Sequence, residues 1–351
     1  MKIINIMLLK VHGGIGQVYI DYCEMLIGLG HEVYAVCHSN SIWVEKTQDL
    51  QSRNPKLKIL EVSSKGGMFA LFTMLKIAFL CKKIRPNAII IHNYINMCLW
   101  ATRWSKAPKI GVSHMYKYKH VNRLDGFIAL TSEIHEEVVR LGVNSAKLAI
   151  IPNAIGLDSA KPKFSQHSPP VIGAIGRLAH EKGFHVLIKS LGILKKSNIP
   201  FKCLVGGDGP QKDELLQLAK ENNLSDCLEF LGEVVDNRNF YNKVDIFALP
   251  SLSETFGLTI LEAAKCRKPI IASRMGGPKE ILTDYKNTLF FEPGDVEMLA
   301  EKLILLFENK ELCEKLVSNC YRLVAEKYSY SIVGAELEGF IKSIAYGARI
   351  S

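Results

Sequence analysis

The chain contains no C-x-x-C pair, and its nine cysteines are an odd number. Both points argue against a disulfide frame or a zinc site, and they make a reducing cytosol the simplest compartment. No apolar run reaches the roughly 20 residues of a membrane span. The most apolar segment, residues 68–81, is broken by Lys76. The opening MKIINIMLLK is too short for a signal-peptide core and reads as a first strand. There is no low-complexity tract and no repeat at a short fixed period. A G-x4-G-K-[ST] loop is missing, so a P-loop is excluded. Nucleic-acid-binding motifs are missing too. Neither a D-x-D motif nor a histidine cluster with ligand spacing occurs, so no metal is expected.

What remains is an ordinary globular composition, 48% hydrophobic and 23% charged, on 351 residues. That length is long for one core and comfortable for two domains. The charge is lopsided. Residues 1–155 hold 19 Lys and Arg against 10 Asp and Glu, whereas residues 156–351 hold 25 of each. The whole formal charge of +9 therefore belongs to the first half. With no nucleic-acid motif present, such an excess fits an anionic membrane surface or an anionic lipid-linked acceptor. A merely soluble basic face is the competing explanation.

Strand and helix patterns alternate along the first half. Strands are expected at 2–9, 31–37, 57–62, 88–92, 109–113, 126–130 and 147–151, with helices at 16–29, 68–84 and 131–141. Residues 156–170 carry prolines and serines with little apolar pattern and read as a linker. A second series of strands follows at 171–175, 201–205, 227–231, 244–249, 269–273 and 288–291, and helices fill the tail. The alternation predicts an α/β protein with two parallel, doubly wound sheets. The domains expected are 1–155 and 171–330, with 331–351 as a last helix.

Residues 247–262, FALPSLSETFGLTILE, are the centre of the chemistry. An apolar strand ends at Pro250. Ser253-Glu254-Thr255 supplies a helix-entry signal, and 257–264 reads as an amphipathic helix. Ligands of open α/β sheets sit where a strand ends and a helix begins. Free N–H groups around Gly257, Leu258 and Thr259 suit a phosphate, and Gly257 allows close approach to the backbone. Glu262 lies roughly 8 Å further along the helix axis. A nucleotide sugar matches this layout: Glu254 on sugar hydroxyls, the helix start on phosphate, Glu262 on ribose hydroxyls. The plainer alternative is that Glu254 favours the helix dipole and Glu262 is a solvated face residue.

Other candidates are individually ambiguous. Gly13-Gly14-Ile15-Gly16 joins a strand to a helix, but Tyr19 stands where a dinucleotide fingerprint needs a small residue. The loop is either a diphosphate contact or a tight turn. His92 and His114 end strands, and His12 lies in the glycine loop. Arg177 and Lys182, in GRLAHEKG, are either a diphosphate clamp or two surface cations. The Gly207-Asp208-Gly209-Pro210 turn reads as structural, with Gly207 at most lining a nucleotide pocket. Gly232-Glu233-Val234 would edge that pocket. The helix at 68–84 ends in Lys82, Lys83 and Arg85, which suits either anionic lipid or the helix dipole. Arg103, Lys106, Lys109, Lys117, Lys119 and Arg123 extend the basic surplus.

Glu254-x7-Glu262 with Phe256-Gly257-Leu258 inside it resembles the signature of the retaining glycosyltransferases of family four, which have the GT-B fold. The landmarks Gly13-Gly14, His114, Pro152-Asn153, Arg177 with Lys182-Gly183, and Gly207 to Pro210 follow in the family's order. Ala154 departs from it, where a glycine is usual. The resemblance implies two Rossmann-like domains facing across a cleft, the basic first domain for the acceptor and the second for the donor. It implies that the final helix returns to the first domain. It implies His114, Glu254, Arg177 and Lys182 as catalytic residues. Gly14, Gly207, Val234, Phe256, Gly257, Leu258, Thr259 and Glu262 would contact the donor. The expected activity is transfer of a sugar, with retention, from a UDP- or GDP-sugar to a glycan, lipid-linked or lipopolysaccharide-type acceptor. No cofactor or metal is implied. The expected location is cytoplasmic, with peripheral contact to the membrane's cytoplasmic face. A nucleotide-sugar epimerase of this architecture would instead turn over donor without an acceptor. A non-catalytic nucleotide-sugar sensor would bind donor only, and a glycogen-type phosphorylase would need a cofactor lysine motif that is not found.

Overall fold

A computed structural model of the chain describes residues 1–10, 13–63, 68–114, 118–157 and 167–347. The chain divides into two compact units, Met1–Gly156 with Ser329–Ser351, and Leu157–Tyr328.

The first unit is built on seven strands: β1 Lys2–Met7, β2 Glu32–His38, β3 Leu57–Val62, β4 Ala88–Ile91, β5 Lys109–Val112, β6 Gly126–Ala129 and β7 Leu148–Ile150. All pair in parallel, in the order β3-β2-β1-β4-β5-β6-β7. The connecting helices are α1 Gly14–Gly28, α2 Ile42–Arg53, α3 Met68–Ile84, α4 Ile95–Ala101 and α5 Ser132–Arg140. Helices on both faces bury the strands from both sides, so a strand such as AIII of β4 is apolar at every position. The order reverses between β1 and β4, which makes their C-terminal ends the switch point where such sheets bind ligands.

Two local details explain the sequence there. Helix α1 starts at Gly14, two residues earlier than the pattern suggests, because Gly13 takes φ 147 as its N-cap. Gly16 is demanded by packing: a Cβ there would lie 1.9 Å from the Trp43 ring. Helix α3 turns Thr73, Ile77, Cys81 and Ile84 inward and leaves Leu71, Phe72, Leu75 and Phe79 exposed.

The second unit holds six parallel strands in the order β10-β9-β8-β11-β12-β13. They are β8 Val171–Ile175, β9 Lys202–Gly206, β10 Leu228–Gly232, β11 Ile246–Leu249, β12 Ile270–Ser273 and β13 Leu289–Phe291. The helices are α6 Phe184–Lys196, α7 Lys212–Glu221, α8 Asn237–Asn242, α9 Leu258–Lys265, α10 Gly276–Ile281, α11 Val296–Glu308 and α12 Lys310–Lys327. The core packs β8, β9 and β11 against α6, α7, α11 and α12 through residues such as Leu187, Val205, Leu215, Leu303 and Leu316. The entry to β8 is pinned by Asp245, a fully buried carboxylate. It accepts from the backbone of His167 and Val171 (3.1 and 2.7 Å) and from His167 Nδ1 (2.8 Å).

The last helix, α13 Tyr330–Tyr346, belongs to the first unit and packs on α1. Tyr330 donates to Asp21 Oδ1 at 2.6 Å, and Gly334 lies against Met25 and Leu29.

Candidate active site

In the second unit the strand order reverses between β8 and β11. Two turns leave the C-terminal ends of these strands and are tied to one another. Leu252 and Ser253 donate their N–H groups to Glu181 O at 2.8 and 3.0 Å. Gly183, at φ +65, presses on the other turn so closely that an added Cβ would lie 1.9 Å from Pro250 O. This backbone contact delivers Lys182 to Glu254: Nζ donates to Oε2 at 2.7 Å, with the side chains 28% and 13% exposed. The predicted cation and the predicted carboxylate are thus one ion pair, 72 residues apart in sequence.

Helix α9 starts at Leu258, not Gly257, and it is not capped by Ser253-Glu254-Thr255 as the sequence suggested. Gly257 is the N-cap, in the left-handed region at φ 94, with no side-chain cap. The reason is the turn itself. Glu254 O is taken by Gly277 N–H at 3.1 Å, and Gly277 packs on the Phe256 backbone, 2.4 Å from where its Cβ would stand. The chain therefore enters the helix four residues later than a Ser253 cap, and two later than a Thr255 cap, would place it. The amides of Gly257, Leu258 and Thr259 have no acceptor among the described residues. The Phe256 ring is buried, edge-on to Tyr328 at 6.1 Å, so its side chain anchors the loop.

Glu262 stands on the flank of α9 facing α8. Its Oε1 accepts from Asn237 Nδ2 at 2.9 Å and its Oε2 from Tyr241 OH at 3.2 Å. Tyr241 OH also reaches Thr259 O at 3.2 Å. Burial, with the Glu262 charge adding to it, pushes the Tyr241 phenol well above its usual range, so it acts as a donor. Asn237 and Tyr241 were not anticipated; the only signal was their place in the short polar stretch before β11.

The turn after β9 docks on the turn after β8. A Cβ on Gly207 would lie 1.9 Å from Gly176 O, and Leu178 N–H donates to Asp208 O at 2.9 Å. Gly207 N–H in turn donates to Gly232 O at 2.6 Å, and the Val234 side chain lies over Gly206. Arg177 is exposed between these turns and makes no ion pair among the described residues.

In the first unit Gly14 is exposed at the start of α1, and His12 and Lys117 lie outside the described residues. His92, at the end of β4, and His114, just past β5, are bonded to each other: His92 Nδ1 and His114 Nε2 are 2.9 Å apart. The rings stack at 5.1 Å, and His92 Nε2 is 2.8 Å from Asn5 Oδ1. Burial holds both imidazoles neutral. It takes His92 far below its ordinary value, with His114 adding to the effect, and His114 down to about 3. Among the described residues no three His, Cys, Asp or Glu gather as a metal cluster, and no helix is long and apolar enough to cross a membrane.

Two family models match consecutive stretches of the chain: Glycosyltransferase Family 4 over residues 12–159 and Glycosyl transferases group 1 over residues 158–323. The chain belongs to the family 4 glycosyltransferases. This glycosyltransferase is similar to the 2-deoxystreptamine N-acetyl-D-glucosaminyltransferase of Niallia circulans, at 26% identity over 66% of this chain and 70% of that protein. It is also similar to a lipopolysaccharide core biosynthesis glycosyltransferase of Rhizobium meliloti, at 26% identity over 73% of this chain and 75% of that protein. Among solved structures, Anabaena HepE in complex with UDP-glucose superposes with a TM-score of 0.80 at 19% identity, covering 98% of this chain and 100% of that one. The two parallel sheets of seven and six strands are those of a GT-B glycosyltransferase.

Proposed function

We propose that this glycosyltransferase moves a hexose, with retention, from a UDP- or GDP-sugar to a glycan, lipid-linked or lipopolysaccharide-type acceptor. The observation that carries the donor assignment is the end of the second sheet. There, three amides of the α9 start, without an acceptor among the described residues, lie between a carboxylate salt-bridged to Lys182 and a carboxylate held by Asn237 and Tyr241. Glu254 is assigned to the sugar hydroxyls, the amides of Gly257, Leu258 and Thr259 to phosphate, and Glu262 to the ribose. Gly207 and Val234 are assigned to the edge of the nucleotide pocket. The backbone of Phe256 is assigned to the donor, and Gly14 to its diphosphate.

The step breaks the bond between the anomeric carbon and the diphosphate oxygen and forms one from the acceptor oxygen on the same face. The departing phosphate takes the acceptor's proton. Arg177, Lys182 and the α9 amides carry the charge that develops on the leaving group. His114 is assigned to a hydrogen bond with the sugar. No metal enters this scheme. A lipopolysaccharide-core enzyme among the relatives supports a cell-envelope acceptor.

We assign the basic surplus of the first unit to peripheral contact with an anionic membrane, on its cytoplasmic face. The exposed side chains of Leu75 and Phe79 on α3 and of Trp104 line one groove with Lys82, Arg85 and Lys106, an apolar floor with a cationic rim. Arg103 stacks on the Trp100 and Trp104 rings at 3.8 and 3.7 Å, so its charge stays at that rim.

A thermal-shift panel of UDP-, GDP- and ADP-sugars tests the donor assignment, and the anomeric configuration of the product tests retention. Stabilisation by one UDP- or GDP-sugar and a product of unchanged configuration are expected. No shift with any of them, or an inverted product, would overturn the proposal.

A further inference from the structure

The two histidines that end β4 and β5 are linked to a third side chain, and the chemistry of that chain admits one arrangement of protons. Asn5 lies in the middle of β1 and is fully buried. Its Nδ2 donates to the carbonyl of Tyr19 at 3.1 Å and to Cys23 Sγ at 3.3 Å. A carbonyl only accepts, so the amide orientation is fixed and Oδ1 must face His92. His92 Nε2, 2.8 Å away, therefore carries the proton. In a neutral imidazole the other nitrogen is then a bare acceptor. His92 Nδ1 consequently accepts, and His114 Nε2 donates to it at 2.9 Å. With Nε2 protonated, neutral His114 has a bare Nδ1.

We propose that Asn5 and His92 are positioning residues that lock His114 as its Nε2–H tautomer, so that Nδ1 is a fixed hydrogen-bond acceptor for a ligand hydroxyl. Burial of the pair supports the neutral form of both rings. Packed on His92 are Tyr19 and Tyr22 of α1, edge-on at 5.9 and 5.1 Å, with Cys23 behind Asn5. All three are uncharged near neutral pH, so none stabilises an imidazolium. The residues next to the pair point the same way. Asn93 Nδ2 and Ser113 Oγ are buried polar atoms with no partner among the described residues. A hydroxyl-bearing ligand is the natural complement of such groups. The assignment of that hydroxyl to the donor sugar rests on the function proposed above; the tautomer lock does not.

The test is a long-range nitrogen–proton correlation spectrum of the full chain with isotope-labelled histidine. The signals are assigned by their loss in His92→Gln and His114→Gln. His114 should show a protonated Nε2 and a bare Nδ1, unchanged between about pH 5.5 and 8, where a free imidazole titrates. A His114 that titrates in that window, or that carries its proton on Nδ1, overturns the lock. The role in turnover is read from a matched pair. His92→Gln keeps an acceptor for His114 and a donor for Asn5, whereas His92→Leu keeps neither. With the sugar nucleotide selected by the thermal-shift panel, His92→Leu should lose about tenfold in kcat with little change in KM, and its pH profile should gain an inflection near the ordinary histidine value. His92→Gln should recover most of the rate. Equal rates and identical pH profiles for the two overturn the positioning role. Full turnover in His114→Ala would instead remove His114 from the reaction, an outcome the spectrum does not share.

Discussion

Glu262→Ala separates the two ends of the proposed donor site. In the structure its carboxylate accepts from Asn237 at 2.9 Å and from Tyr241 at 3.2 Å. Truncation does not strand either donor. Tyr241 OH keeps Thr259 O at 3.2 Å, and Asn237, partly exposed, can turn to water. The stability cost should therefore stay near or below about 1 kcal/mol. The nucleotide, by contrast, loses a charged acceptor for its ribose. Hydrogen bonds to charged groups contribute about 1.5–3 kcal/mol, so affinity for UDP or GDP should fall roughly ten- to a hundredfold. Glu254→Ala should do the opposite. Free nucleoside diphosphate has no sugar for Glu254 to hold, and removing it releases the Lys182 ammonium from its 2.7 Å partner. Diphosphate binding should then be unchanged or tighter. Calorimetry of UDP and GDP with the three proteins decides the matter. Equal losses in both variants would show that the two ends of the donor have been assigned wrongly.

Three further outcomes are expected. Gly183→Ala forces a Cβ into Pro250 O at a left-handed φ, so it should cost at least about 2 kcal/mol. In a unit of this size that is a Tm loss of about 4 °C or more, with turnover falling too because Lys182 is displaced; an unchanged Tm would refute the contact. His92 and His114 have folded values below the unfolded one, so the unfolded chain binds more protons as pH falls below about 6.5. The first unit should therefore lose stability on acidification from that point, by up to about 1.4 kcal/mol per pH unit for each histidine, and urea unfolding of His114→Gln should show a shallower loss. Wild type should float with anionic liposomes at low salt and release them at high salt, and a Lys82, Lys83 and Arg85 triple alanine variant should bind more weakly. Indifference of the wild type at low salt would return the basic surface to a soluble anionic acceptor.

The strands were legible because parallel strands buried on both faces are unbroken apolar runs. Every described strand overlaps a run visible in the sequence, β3 and β8 with the same bounds and β2, β9 and β10 shifted by one residue. Helices α2, α4, α6, α8 and α10 were not read. Helix α2 buries only Trp43, Val44, Thr47 and Leu50, too thin a stripe to stand out. Helix α8, NRNFYN, is short and polar, and α10 opens Gly-Gly-Pro, which reads as a turn although proline is tolerated in a first helical turn. At the site, spacing marked Glu254 and Glu262, and strand ends marked Lys182, Arg177 and His114. Partnerships were beyond reach. The Lys182–Glu254 pair spans 72 residues and the Asn5–His92 bond 87, and only the sheet order brings such residues together. A single asparagine inside the apolar run KIINIM was the one trace of the histidine relay.

The most direct test of the proposed chemistry is the rate of nucleoside diphosphate release from the sugar nucleotide that the panel selects, in wild type, Arg177→Ala and Lys182→Ala. One charge on the leaving diphosphate contributes roughly 3 kcal/mol, so each variant should lose about a hundredfold in rate while its Tm stays within a few degrees of wild type. Near-wild-type release by both variants would contradict the assignment of the leaving-group charge to these two residues.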